Sequence, residues 1–364
     1  MKRAGAFVED RELDDIVALL PPLLQAVDRL GFVARHFDPP QFGELMAAVG
    51  EPDAALAAER PRLDAWPAAM APVGTALATA ADAALAAYAE LRAAPDQEDG
   101  LAAVFRALRH GPRAQEALYP LARGLPPVGR FFLDPDRRDD ADLVKRLAEA
   151  PESEVTGVIH GGGEPGARGA FSIYVPEYYD AALAWPVVFA LHGGSGNGRA
   201  FLWSWVREAR SRGAIVVAPT AVGRTWAIQG GDADTPNLHR ILDLVRTHWS
   251  VDETRLLLGG MSDGGTFSYV SGLEPGSPFT HLAPTSAAFH PVMASYADRD
   301  RLQGLPIHIT HGALDWMFDV GMAREAATAL QAAGAAVTYL EIPDLAHTWP
   351  REANNPVLDW LGVA

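Results

Sequence analysis

The chain of 364 residues contains no cysteine. That excludes disulfides, thiolate metal sites and a cysteine nucleophile. Long apolar runs are missing too: no stretch reaches the ~18 uncharged apolar residues that a spanning helix needs. Ala71–Ala89 comes closest, but alanine is weakly apolar and Asp82 interrupts it, so no membrane span is expected. After Met1-Lys2-Arg3 come Glu9, Asp10, Glu12, Asp14 and Asp15 rather than an apolar segment. No secretory signal is read there, and a cytoplasmic location is expected. Basic charge is scarce, with 30 Lys and Arg against 46 Asp and Glu and a net charge of −16. Residues 1–150 carry −7 and residues 151–364 carry −9. Acidity spread so evenly argues against nucleic acid or an anionic membrane as partner.

What is present suffices for a substantial core: 49% of residues are apolar and 21% charged, a globular balance that excludes a disordered or collagen-like chain. Two compositions meet near Pro151. Residues 1–150 are rich in Ala, Leu, Arg and Pro, and Leu13, Ile16, Val17, Leu20 and Leu24 recur at helical spacing. This part is expected to be all-helical, punctuated by Pro21-Pro22, Pro39-Pro40, Pro126-Pro127 and Pro135, with extended pieces around Leu125–Pro135. From Glu154, short apolar runs alternate with helical stretches. Glu154–His160 and Ala170–Val175 read as a strand pair. Val187–Leu191, Ala214–Ala218, Arg255–Leu258, Leu282–Ala287, Ile307–Thr310 and Val337–Ile342 read as further strands. Arg199–Arg212, Thr235–Trp249 (capped by Thr235, with Pro236 at its first position), Asp263–Gly272, Val320–Ala333 and Val357–Leu361 read as helices. The expectation is an α/β fold: a mostly parallel sheet in 151–364 with helices on both faces, preceded by an all-helical region in 1–150. Sites in such sheets gather at the carboxyl ends of the strands.

Four segments at those ends carry chemistry. Gly260-Met261-Ser262-Asp263-Gly264 fits G-x-S-x-G between an apolar strand and a helix, where a sharp turn presents the hydroxyl above the sheet. A serine needs a base. His347, in the loop after Val337–Ile342, is the favoured one of eleven histidines. The base needs a carboxylate to hold its tautomer. Asp315, after Ile307–Thr310, is favoured over Asp319 on the same loop and Asp344 beside His347. Donors for an oxyanion are expected from His192-Gly193-Gly194-Ser195-Gly196, with the N–H of Gly194 or Ser195 paired with that of Asp263. His160-Gly161-Gly162-Gly163 imitates that loop but joins two early strands and reads as a hairpin connection. His192, Gly193, Trp226, Trp316 and Trp349 are candidates for contacting substrate, Trp226 being equally a core residue. Trp203 and Trp205 read as packing, His290 as a loop residue and His311 as a brace for its own loop.

Those segments resemble the α/β-hydrolase superfamily, in particular its phospholipase/carboxylesterase and polyhydroxybutyrate depolymerase–feruloyl esterase branches. The carrying motifs are Leu191-His192-Gly193-Gly194, Gly259–Gly265, Ile309–Asp315 and Ala346-His347. Where the depolymerase branch often has a cysteine after His-Gly, this chain has Gly194. The resemblance implies a serine esterase with Ser262 as nucleophile, Asp315 as orienting acid, His347 as base and no metal or organic cofactor. The expected partner is a small-molecule ester; thioester or amide cleavage by the same machinery, or a non-catalytic binding role, are the alternatives. Residues 1–150 match no family by inspection and are read as a lid, a brace or a homo-oligomer interface.

Overall fold

The computed structural model describes residues 10–363. The chain divides into two compact units between Arg138 and Asp139 rather than at Ala150. Helix Ala141–Glu149 therefore goes with the sheet. Its N-terminus is capped by Asp140, which accepts from the Leu143 N–H at 2.9 Å, and Arg146 lies 4.3 Å above the Tyr178 ring.

The first unit is helical throughout its described residues, as expected, but with two local differences. Pro21-Pro22 does not end a helix: both prolines lie inside the single helix Asp10–His36. An interior proline costs about 3 kcal/mol, offset here by burial of Ile16, Leu19, Leu23, Ala26, Leu30 and Val33 along one face. That stripe leaves Leu13 and Val17 exposed. Pro126-Pro127 opens the helix Pro126–Phe131 instead of an extended segment, because proline is well placed where no N–H is needed. The Ala-rich helix Ala71–Ala93 buries Leu77, Ala80, Ala81, Ala84, Ala87 and Leu91; small side chains let neighbouring backbones approach, and the Tyr88 hydroxyl donates to Ala26 O at 2.7 Å. Segments Arg11–His36 and Ala68–Asp96 are long and apolar enough, by length and composition, to cross a bilayer. That differs from the expectation drawn from Asp82, since an average over a window tolerates one charge.

The second unit holds a sheet of eight strands among the described residues: β1 Gly157–Gly161, β2 Phe171–Val175, β3 Trp185–Leu191, β4 Ile215–Pro219, β5 Val251–Met261, β6 His281–Thr285, β7 Pro306–Gly312 and β8 Ala336–Ile342. Their order is β1-β2-β4-β3-β5-β6-β7-β8, with β2 antiparallel to β1 and β4 and the remaining pairs parallel. Every residue of β3 and β4 is buried, as expected of parallel strands covered on both faces. Two helices differ from the sequence reading. Arg199–Arg212 is broken into Gly198–Phe201, a 3-10 turn Leu202–Ser204, and Val206–Arg212. The helix read from Thr235 starts at Asp234 with Ala233 at its N-cap position; the first N–H groups, of Asp234 and Thr235, are taken by the carboxylate of Asp232, one residue further out, rather than by Thr235. Leu191 of β3 pairs with Gly260 of β5, so the loop after β3 and the turn after β5 emerge side by side.

Candidate active site

The turn after β5 is built around Ser262, whose φ of 56° and ψ of −122° lie where L-residues are strained by about 1–3 kcal/mol. The surroundings over-determine it: its N–H donates to Thr285 O at 3.0 Å and its carbonyl accepts from the Thr266 N–H at 2.8 Å. The glycines are steric necessities. A Cβ on Gly264 would lie 2.4 Å from Leu191 O, and one on Gly260 would lie 2.7 Å from the Leu191 Cβ. Strand, turn and helix can close on one another only without those side chains.

Asp315 and His347 come from the loops after β7 and β8, which are stitched together. The Ala313 N–H donates to Ile342 O at 2.9 Å and the Leu314 N–H to Leu345 O at 3.1 Å. A Cβ on Gly312 would fall 2.1 Å from Leu345 O, so this approach also requires glycine. The result is a continuous chain of side chains. His347 Nε2 lies 3.1 Å from Ser262 Oγ, and His347 Nδ1 lies 2.9 Å from both Asp315 oxygens. An ionised carboxylate only accepts, so Nδ1 carries the proton and the bare Nε2 faces the hydroxyl. Asp315 Oδ1 also accepts from the Met317 and Phe318 N–H groups at 3.0 and 2.8 Å. Burial pushes the Asp315 carboxyl up, but the His347 hydrogen bond and charge, the Phe318 N–H and nearby His311 outweigh it and hold it below the ordinary carboxylate value. His311, read as a loop brace, is buried with Nε2 donating to Phe318 O at 2.9 Å and standing 3.4 Å from Asp315 Oδ2. The rival carboxylates are elsewhere: Asp319 caps the helix Val320–Ala332 and Asp344 is exposed.

The loop after β3 sits against the serine. The Cβ position of Gly193 is 3.5 Å from Ser262 Cβ, an ordinary van der Waals contact, and that of Gly194 is 2.8 Å from Asp263 Oδ2, so a side chain at Gly194 would displace that carboxylate. Ser195 adopts φ 57°, and the Gly196 N–H closes the loop on Gly193 O at 3.1 Å. His192 and Trp226, expected to contact substrate, are buried beneath this loop with their polar atoms occupied. The Ala221 N–H donates to His192 Nε2 at 3.1 Å, which leaves the ring proton on Nδ1, where it donates to Gly193 O at 2.6 Å. Burial pushes the His192 pKa down to about 4, keeping it neutral. Trp226 donates to His192 O at 2.7 Å and stacks on Phe267.

Of the aromatic candidates, Trp316 is half-buried with its ring centre 6.2 Å from that of His347. Phe318, absent from the sequence reading, is nearer, edge-on at 5.2 Å. Its position two residues from Trp316 was the available signal. Trp349 instead joins a buried cluster with Phe201 and Trp205, its indole N–H donating to Asn354 Oδ1 at 3.0 Å. Trp203 and Trp205 are buried, consistent with packing, and His290 is an exposed loop residue. His160 lies in β1 and pairs with Ser172 of β2 at 2.8 Å, so the Gly161–Gly163 run is the β1–β2 connection. Among the described residues, no group of three or more His, Asp or Glu is placed to hold a metal ion.

No family model matches the chain. It is 32% identical over 123 residues to a probable feruloyl esterase C of Aspergillus terreus (strain NIH 2624 / FGSC A1156), covering 32% of this chain and 45% of that protein. A probable feruloyl esterase C of Aspergillus clavatus is 28% identical over 181 residues, covering 48% of this chain and 64% of the relative. The bifunctional acetylxylan esterase/xylanase XynS20E of Neocallimastix patriciarum is 31% identical over 157 residues, covering 42% and 22%. The chain thus spans less than two thirds of the length of each. Residues 139–363 form an α/β unit whose eight-stranded, mostly parallel sheet carries the candidate site. Among solved structures, a ferulic acid esterase superposes on this chain with a TM-score of 0.47 and 17% identity, over 56% of this chain and 96% of its own. The fluorophosphonate-binding serine hydrolase FphF of Staphylococcus aureus gives 0.46 and 13%, over 56% and 96%.

Proposed function

We propose that this α/β-hydrolase cleaves carboxylic esters through an acyl-enzyme on Ser262. The observation that carries the reading is the hydrogen-bonded chain from Ser262 Oγ through His347 to Asp315. As the hydroxyl oxygen attacks the ester carbonyl, His347 Nε2 takes its proton. The Asp315 carboxylate holds the ring in register and stabilises the imidazolium. Negative charge gathers on the former carbonyl oxygen, where the N–H of Asp263, at the start of a helix, and N–H groups of the Gly194–Ser195 segment meet it. The tetrahedral adduct collapses and the alcohol leaves with the proton from His347. Water then gives up a proton to the same nitrogen, attacks the acyl carbon and releases the acid and Ser262. Ring edges of Trp316 and Phe318 beside His347 suit an apolar or aromatic group, and relatives named feruloyl esterases make feruloyl esters the first natural class to test.

The test is hydrolysis of p-nitrophenyl esters from C2 to C12 and of methyl ferulate, with wild type and Ser262→Ala side by side. Wild-type turnover that falls about 10⁶-fold in the variant is expected. Turnover that survives in Ser262→Ala would refute the reading.

A further inference from the structure

The loop after β4 holds one polar contact that the chain of Ser262, His347 and Asp315 does not use. The Thr225 hydroxyl donates a short hydrogen bond to Asp263 Oδ2. That carboxylate oxygen is also the atom lying 2.8 Å from where a Gly194 Cβ would be. Asp263 begins the helix directly after Ser262, and Gly194 belongs to the loop after β3. One side chain therefore stands between the two backbone segments whose N–H groups are proposed to receive the oxyanion, and Thr225 fixes where it stands.

The rest of the β4 loop is held without Thr225. Asp234 accepts from the Val222 N–H at 2.7 Å and from the Ala227 N–H at 2.8 Å. Trp226 is tied to His192 O, and Ala221 to the His192 ring. The hydroxyl is accordingly not needed to keep the loop in place. Its partner is a carboxylate only half-buried, next to the site where negative charge develops. Such a carboxylate free to swing would oppose that charge or draw away an N–H group.

We propose that Thr225 is a positioning residue: by holding the Asp263 carboxylate against Gly194 it sets the spacing and direction of the oxyanion-binding N–H groups. The inference rests on the serine-hydrolase reading of Ser262. Because the gain is made where charge develops, its loss belongs in kcat, while ground-state binding and KM stay nearly constant. A threonine that merely secured a pocket loop would show the opposite, a raised KM and a lowered Tm.

The experiment compares wild type, Thr225→Val, Thr225→Ser, Asp263→Ala and the Thr225→Val/Asp263→Ala double variant. Two readouts are taken: steady-state hydrolysis of p-nitrophenyl acetate, and the rate of Ser262 labelling by a fluorophosphonate probe. Labelling also develops charge on an oxygen in the same place but requires no ester turnover. Thr225→Val is expected to lower kcat and the labelling rate by about tenfold, a fraction of what a lost donor costs. KM should be unchanged and Tm should move by less than about 4 °C. Thr225→Ser should recover the rate to within about twofold, and the valine effect should vanish in the Asp263→Ala background, because the two groups act as one unit. Equal labelling of wild type and Thr225→Val, a change confined to KM, or full additivity in the double variant overturns the proposal. A wild type that labels but cleaves no ester removes the ester reading and leaves the labelling comparison to decide Thr225. A wild type that does not label at all overturns both.

Discussion

The two units handle backbone strain in opposite ways and differ in where their buried polar groups gather. In the helical unit, buried Asp53 and Asp15 are answered by nearby cations or donors. Asp53 takes two hydrogen bonds from Arg92, and Asp15 takes one each from Arg62 and Trp66. Its described non-glycine residues all keep negative φ. In the α/β unit, buried His192, Ser262, Asp315 and His347 gather past the ends of β3, β5, β7 and β8. Among the described residues, the only non-glycine positions with positive φ are Ser195, Ser262 and Ser286, which follow β3, β5 and β6. Backbone strain is costly, and a fold keeps it where other contacts over-determine the geometry. The contrast is itself an argument for where the chemistry is.

That contrast can be sharpened, beginning with the largest effect. Asp315→Asn should lower kcat by about 10⁴ without unfolding the protein, because an amide can hold the wrong tautomer of His347 in unchanged geometry; steady-state kinetics with a circular dichroism control read this directly. A loss under tenfold would mean that Asp315 is structural, like Asp53.

His192 offers a test by pH. Its folded pKa of about 4 lies below its unfolded value near 6.5, so the folded state resists protonation. Its stabilising contribution is full above about pH 6.5 and is lost as pH falls towards 4, an effect on the order of 3 kcal/mol for so buried a group. His281 and His308, also lowered by burial, act in the same direction. Urea midpoints between pH 7 and 4 should therefore fall in wild type and fall less in His192→Gln; equal slopes would remove His192 from the account.

Ser262→Gly separates strain from chemistry. It should abolish hydrolysis yet raise stability by about 1 kcal/mol, since relief of strain at φ 56° exceeds the entropy that glycine adds to the unfolded chain. A destabilised glycine variant would mean that the turn is unstrained. The smallest effect is expected at the surface of the helical unit. Asp82, which accepts two hydrogen bonds from Arg60 and is more than half exposed, should cost under about 1 kcal/mol on replacement by alanine, measured by urea denaturation.

Much of this was readable in advance. Alternating apolar runs and helical stretches announce a parallel sheet because strands buried on both faces need continuous apolar sequence. Ser262, Asp315 and His347 stand out because each follows a strand. Other features were hidden. Pro21-Pro22 reads as a break, and only the buried face of the helix Asp10–His36 reveals what offsets it. His192 and Trp226 look like substrate contacts because residues after strands often are. Their burial, and the spending of their polar atoms on Ala221, Gly193 and His192 O, depends on a neighbouring loop that no local pattern announces. Asp232 and Thr235 compete as caps within four residues, and only the backbone path decides between them.

By itself, then, the order of residues determined the class of fold, the helical character of the first unit and which loops after strands carry the candidate serine, carboxylates and histidine, since periodicity, glycine placement and chain order are local properties. Tertiary structure alone decided that Asp315 rather than Asp319 or Asp344 reaches His347, that helix Ala141–Glu149 joins the sheet, and that Thr225 meets Asp263. Those outcomes depend on hydrogen bonds and close approaches between segments up to 38 residues apart, whose distances follow from how the strands are ordered in the sheet.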